Sequence, residues 1–144
     1  MIKSAKIRVA GTVVLGNGMV QHTLFFDGGC RPNPGRMEAA VVSRGRTYFR
    51  DDLGSGDNEQ AEWLALLFAV ELAAAETASE VMFIGDSAVV IEQARGVRPC
   101  RIPRLVPYLA AFRGAVAPLQ AFRLRQVPRS KNLAGIALAR RFVL

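Results

Sequence analysis

Phe25-Phe26-Asp27-Gly28-Gly29-Cys30-Arg31-Pro32-Asn33-Pro34-Gly35 is the stretch on which the reading of this chain turns. Residues 19–26, which lead into it, are rich in β-branched and aromatic side chains and predict a strand. The glycines and prolines that follow stop a strand and force a tight, irregular loop, which leaves Asp27 at the break. Towards the N-terminus residues 7–15 predict another strand, and the intervening Gly16-Asn17-Gly18 is hairpin chemistry. Towards the C-terminus residues 38–43 and 47–50 read as short strands about an Arg44-Gly45-Arg46 turn. The first third of the chain is therefore an antiparallel meander.

After a loop over 54–58, Asn58 can cap a helix that runs to Glu76, and the alanines and leucines of that segment favour it. Glu62 then lies in its first turns. A short apolar run at 81–84 ends in Gly85-Asp86-Ser87, where either polar side chain can cap a helix reaching Ala94. Asp86 thus sits at the carboxyl end of a strand, where open α/β sheets place their ligands. Pro99, Pro103 and Pro107 punctuate a segment that turns helical over 108–116. Residues 122–127 alternate apolar and basic as a half-buried strand does, and Asn132 caps a last helix to about Phe142. Strands first, then helix, strand, helix, helix, strand, helix describe a mixed α/β sheet with helices on its faces.

A chain of 144 residues with 51% hydrophobic content fills one core, so one main domain is expected over 21–144, preceded by an extension over 1–20 that adds a strand. Charges interrupt every apolar stretch well short of the ~20 residues that span a bilayer, and no charged start leads into a cleavable apolar segment. A cytosolic protein without a membrane partner is expected. Cys30 and Cys100 lie far apart without metal-ligand spacing and are expected to be free thiols.

Charge is divided unevenly along the chain. All 12 acidic residues precede residue 93, whereas Arg95, Arg98, Arg101, Arg104, Arg113, Arg123, Arg125, Arg129, Lys131, Arg140 and Arg141 follow it without a single acid. Such a segment builds a positive potential that holds a polyanion, nucleic acid first among them, although arginines also serve simply to solvate a surface.

Against that background three acids occupy awkward places: Asp27 at a strand break, Glu62 at the front of a helix and Asp86 at a strand end. Singly, each has an ordinary explanation, as turn residue, first-turn helix acid and N-cap respectively. Together they would repel unless protons or cations lie between them. Hard cations with oxygen ligands fit that need, and two Mg²⁺ ions about 4 Å apart can stabilise the attacking and leaving oxygens of a phosphoryl displacement.

The joint context narrows this further. The stretch 25–35, Asn58-Glu59-Gln60-Ala61-Glu62-Trp63-Leu64-Ala65-Leu66, Gly85-Asp86-Ser87 and Val127-Pro128-Arg129-Ser130-Lys131-Asn132 occur in that order. Over about residues 21–142 this closely resembles the type 1 ribonuclease H family, in the branch with a Val-Pro-Arg phrase before its last helix. The resemblance implies a ribonuclease H-like five-stranded mixed sheet in the order 3-2-1-4-5, and a site that cuts the RNA strand of RNA/DNA hybrids with two Mg²⁺, for which Mn²⁺ can substitute. Carried over by position, Asp27, Glu62 and Asp86 become catalytic metal ligands, and Gly28, Cys30, Asn33, Asn58, Arg129 and Asn132 become nucleic-acid contacts. Contacts to the 2′-hydroxyl are what tell an RNA strand from DNA.

Departures from the family pattern are equally specific. Family members continue the last phrase with an aspartate at the position of Ile136, and no Asp or Glu follows Glu92 to replace it. An isoleucine cannot ligate a cation, so low activity in Mg²⁺ that recovers in Mn²⁺ is expected. Glu59 stands where asparagine is usual and Ala88 where glutamine is common. Asp57 falls near a threonine that helps to hold a DNA phosphate, where an acid should repel. His22 reads as an ordinary strand or edge residue, Trp63 and Phe68 as core, and Glu38 and Glu71 as solvated charges. The leading expectation is a ribonuclease H-type endonuclease of reduced activity; the alternatives are a nucleic-acid-binding module that no longer turns over, and a related nuclease acting on another duplex.

Overall fold

The structure, a computed structural model, describes residues 6–9, 12–15, 20–77 and 79–141. Two short strands, β1 (Lys6–Val9) and β2 (Thr12–Leu15), form an antiparallel pair, and β2 lies against the start of the long central strand β3 (Val20–Cys30), with Thr12 opposite His22. The expected single strand over 7–15 is therefore two strands, and the Gly16-Asn17-Gly18 turn lies outside the described residues. β4 (Gly35–Ser43) and β5 (Arg46–Arg50) complete the meander about Arg44 and Gly45, both at positive φ, and the two-residue β6 (Ser55–Gly56) pairs with the start of β4.

α1 (Asn58–Ala75) leads to β7 (Glu80–Gly85), α2 (Ala88–Ala94), α3 (Val106–Ala115), β8 (Ala121–Gln126) and α4 (Leu133–Arg140). β7 runs parallel to β3 and β8 parallel to β7, so the five principal strands lie in the order β5-β4-β3-β7-β8. That is the expected 3-2-1-4-5 arrangement, extended by the N-terminal pair and β6.

Alternation along β3 separates two faces. Leu24 and Phe26 point into the main core with Trp63, Leu66, Val81 and Phe83, beneath α1. On the other face Ala40, Ala134 and Leu138 are buried with Phe25 and Val42 packed against them, beneath α4. Trp63 is fully buried, meets Phe112 edge-on and donates to Gln93 Oε1 at 3.3 Å, as expected of a core residue. His22 is likewise internal, 2.7 Å from Glu76, whose other oxygen accepts from Ser43. Among the described residues no helix is long and apolar enough to cross a membrane, and both cysteines are free.

Two local expectations are corrected. The glycines do not end β3 at Asp27: the strand continues through Gly28, Gly29 and Cys30 because β4 pairs with each of them, and only the Arg31–Pro34 turn stops it. Asn58 does not cap α1 either. Asp57 does, accepting from the Gln60 backbone while the Gln60 side chain accepts from the Asp57 N–H, a reciprocal capping box that leaves the Asn58 side chain available elsewhere.

Candidate metal and nucleic-acid site

The register of β3 explains where the three acids meet. Its pairing with β7 ends at Phe25 opposite Ile84, while its pairing with β4 continues to Cys30. Asp27 therefore projects just past the carboxyl end of β7, where Gly85 leads into Asp86. α1 crosses β3 at Gly28 so closely that a Cβ there would stand 2.0 Å from the Ala61 carbonyl oxygen, and this approach delivers Glu62, the next residue, to Asp27. One oxygen from each of Asp27, Glu62 and Asp86 lies within 4.8 Å of the others.

Asp27 and Glu62 are buried, and Asp27 Oδ1 and Glu62 Oε2 have no hydrogen-bond partner. Orphaned carboxylate oxygens facing one another are costly, and a hard cation between them would satisfy both. Without one, protons do so: burial pushes the Asp27 carboxyl up to about 6, partly offset by its neighbour Glu62. Glu62 is raised well above the ordinary range by burial and then by the charge of Asp27.

Both acids titrate higher in the fold than in the unfolded chain. Their contribution to stability is thus fully present at low pH and is lost as pH rises through about 6 and beyond. A divalent cation that replaces those protons should raise the melting temperature more at pH 8 than at pH 5. Melting curves with and without the cation at both pH values check this, and an equal shift at the two would exclude binding at these carboxylates.

Asn132 holds the third acid. Fully buried at the start of α4, it caps the helix by accepting from the Ala134 N–H, and its amide donates to Phe26 O and to Asp86 Oδ2, each at 2.9 Å. One side chain thus fastens β3, α4 and Asp86 together. The turn after β3 gathers Cys30, Asn33 and Asn58: Asn58 Oδ1 accepts from the Cys30 N–H at 3.1 Å, and Asn33 Oδ1 accepts from the Asn58 N–H at 3.2 Å. Both asparagines are exposed.

A cavity of about 560 Å³ opens over Asp27 and Glu62, with Gly28, Cys30, Asn58 and Arg129 among its walls and Ile136 on its α4 side. Ile136 is half-buried and faces this cavity rather than the core, and a Cβ on neighbouring Gly135 would stand 3.4 Å from Asp27 Oδ2. Sequence reading had no signal for the role of Gly28, since a glycine in a turn-like phrase does not reveal which helix passes over it. A glycine inside α4 was a visible irregularity, because glycine disfavours helix.

Two expectations about charge change here. Glu38 is not a solvated charge: its side chain is 13% exposed and lines the cavity. Asp57 does not stand as a bare repulsive acid, since Arg104 grips its Oδ2 at 2.7 and 2.9 Å. Glu71 is exposed, as expected. The eleven cationic residues after Glu92 are all exposed, among them Arg98, Arg104, Arg123 and Arg141, which pair with acids.

Residues 25–142 match the family model described as reverse transcriptase-like. The chain is 30% identical over 124 residues to ribonuclease HI of Halobacterium salinarum, an alignment that takes in 80% of this chain and 60% of that protein's length. The crystal structure of RNase H1 from the halophilic archaeon Halobacterium salinarum superposes with a TM-score of 0.76 at 28% identity, covering 82% of this chain and 93% of that one. LC11-RNase H1, solved in complex with RNA/DNA hybrid, gives a TM-score of 0.69 at 26% identity over 77% of this chain and 88% of that one.

Proposed function

The chain belongs to the reverse transcriptase-like family and, within it, to type 1 ribonuclease H, and from that premise we propose that it is a metal-dependent endonuclease cutting the RNA strand of RNA/DNA hybrids at Asp27, Glu62 and Asp86. The observation that carries the proposal is the trio of acids within 4.8 Å of one another with two buried oxygens left unpartnered, a donor set that suits Mg²⁺ or Mn²⁺. When bound, such ions stabilise the charge that develops on the attacking and leaving oxygens of a phosphoryl displacement. The relatives named ribonuclease HI, and the one solved with a hybrid, support the substrate class.

Each of the chain's own residues then has a definable task. Asp27, Glu62 and Asp86 would hold the cations, and Asn132 fixes the direction of Asp86 through its 2.9 Å bond. The charge of Arg129 acts on Asp27 and opposes the raising of its pKa, and its exposed guanidinium is available to a phosphate. The backbone at Gly28 and the Cys30, Asn33 and Asn58 turn present donors and acceptors to ribose hydroxyls, which discriminates RNA from DNA. Arg104 neutralises Asp57 beside that turn, so a nearby phosphate meets no net negative charge there.

The deciding experiment offers labelled RNA/DNA hybrid, RNA duplex and DNA duplex with Mg²⁺ and with Mn²⁺. Cuts confined to the RNA strand of the hybrid, and lost in Asp86→Asn, are expected. Cuts in an RNA duplex would identify a related nuclease of different substrate, and tight binding without cleavage in either metal would identify a binding module. Because the cationic residues after Glu92 are exposed, hybrid affinity should fall by roughly 0.7 to 0.9 log unit per log unit of salt for each phosphate neutralised. A binding constant flat across a salt titration would remove the electrostatic part of the proposal.

A further inference from the structure

Away from the acids, strand β8 and the end of α2 enclose a second cavity that the proposed chemistry does not use. Of about 370 Å³, it is lined by Ala94 and Arg95 of the α2 end and by Phe122, Arg123 and Leu124 of β8. Phe122 is 37% exposed, although its ring is braced from within: it stands edge-on to Phe112 with centroids 5.7 Å apart and tilted against Phe83 at 6.4 Å. An aromatic ring fixed by the core yet open to solvent takes a stacking partner at little cost in side-chain freedom. Two cations share the cavity with it. Arg95 is exposed and its guanidinium meets no acid among the described residues, and Arg123, with its side chain 71% exposed, comes no closer than 3.6 Å to Glu80. Glu92, the acid of α2, is engaged by Arg98 at 2.7 Å.

Among the described residues β8 pairs with β7 alone, so its outer edge also leaves backbone donors and acceptors open. An aromatic ring with two arginines fits single-stranded nucleic acid, whose bases stack on the ring and whose phosphates meet the guanidiniums, whatever the sequence. A second copy of this chain would instead add arginines to a patch that is already cationic. The course of β8 indicates which strand arrives there. Gln126 lies opposite Gly85 and donates to Asp86 O at 3.4 Å, and Leu124 and Phe122 follow on the same face of the strand. Four strand residues span roughly 13 Å, about four nucleotides at the ~3.4 Å rise of a duplex strand. Resting on the hybrid-cutting reading above, in which the strand held at Asp86 is RNA, we infer that the α2–β8 cavity is a second nucleic-acid site. It takes single-stranded RNA that continues the cut strand beyond the hybrid, with a base on Phe122 and phosphates on Arg95 and Arg123.

Anisotropy of labelled hybrids tests this in an Asp86→Asn background with Mg²⁺, where nothing should be cut. The ligands are a blunt hybrid and the same hybrid with an extension of about six nucleotides on the RNA or the DNA strand, at either end. One RNA-extended hybrid should bind about tenfold more tightly than the blunt one, a difference of ~1.4 kcal/mol. RNA at the other end and both DNA extensions should gain little. Phe122→Leu, which keeps an apolar side chain in place, and Arg95→Gln, on the surface, should each bring the ratio of extended to blunt affinity close to one. An unchanged ratio in both variants, or an equal gain from every extension, would overturn the assignment. So would self-association that Phe122→Leu abolishes in sedimentation, which would give the β8 edge to a second copy. Blunt binding with no gain from any extension rejects the second site alone. If the blunt hybrid does not bind, the hybrid-cutting reading fails, and the cavity then stands only if free single-stranded RNA binds and Phe122→Leu weakens it.

Discussion

Asp27→Asn should lower hybrid cleavage by at least about a thousandfold, equivalent to ~4 kcal/mol of barrier, while making the metal-free protein more stable at pH 8. The two effects have one cause. Asp27 lies within 4.8 Å of Glu62 and Asp86, its Oδ1 has no partner, and burial pushes its pKa up to about 6. At pH 8, above that value, the cation-free fold therefore holds the Asp27 carboxylate ionised, buried and beside other acids, and it is the metal that justifies the arrangement. Asparagine removes that charge and supplies an N–H that Glu62 can accept. The same change deletes one of the three carboxylates that would hold the cations. Melting curves without metal, together with initial cleavage rates in saturating Mg²⁺ and Mn²⁺, give both quantities. An Asp27→Asn protein that cut at a tenth of the wild-type rate would place the chemistry elsewhere, and one less stable than wild type at pH 8 would mean that the native carboxylate is held by interactions stronger than its repulsion.

The acids themselves were legible because each stands at a chemical punctuation mark: Asp27 after an aromatic run, Glu62 early in an Ala/Leu-rich helix, Asp86 between Gly85 and Ser87. The succession of periodic segments made a mixed sheet with helices on its faces legible, the strand order came with the family resemblance, and the seating of α1 and α4 on opposite faces is seen only in the fold. What escaped depends on partners distant in sequence. Local chemistry stops β3 at the glycines, but hydrogen bonding by β4 carries it on to Cys30. Asp57 and Asn58 are comparable caps in isolation, and the choice falls to Asp57 because Asn58 is used by Cys30 and Asn33. Glu38 reads as a surface charge until the strand register turns it towards Asp27's side of the sheet. Asn132 was legible as a cap, but its bond to Asp86 spans 46 residues and has no local signature.

Gly28→Ala should be nearly as damaging to cleavage as the loss of an acid, although it changes no charge. The added methyl would lie 2.0 Å from Ala61 O, 2.4 Å from Ala61 C and 2.9 Å from Glu62 N. All three are backbone atoms of α1, so no side chain can rotate out of the way, and the helix must lift from β3. Overpacking of this kind costs about 1–3 kcal/mol. For a domain of this size, that lowers the melting temperature by roughly 3–10 °C. The larger consequence is positional: the atoms that must move belong to Glu62 and its neighbour, and a displacement of about 1 Å in a catalytic group can cost on the order of a hundredfold in rate. Gly29→Ala is the matched control, because the nearest atom to its new methyl is Asn58 Oδ1 at 3.9 Å, an ordinary contact. Its stability should stay within about 0.5 kcal/mol of wild type. Cleavage rates and melting temperatures of the pair decide the matter. Equal behaviour of the two variants would show that α1 rides over β3 with slack to spare, and that Glu62 is not positioned by this approach; a Gly28→Ala protein that folds, binds hybrid and binds Mn²⁺ weakly would show that the approach sets the carboxylate geometry.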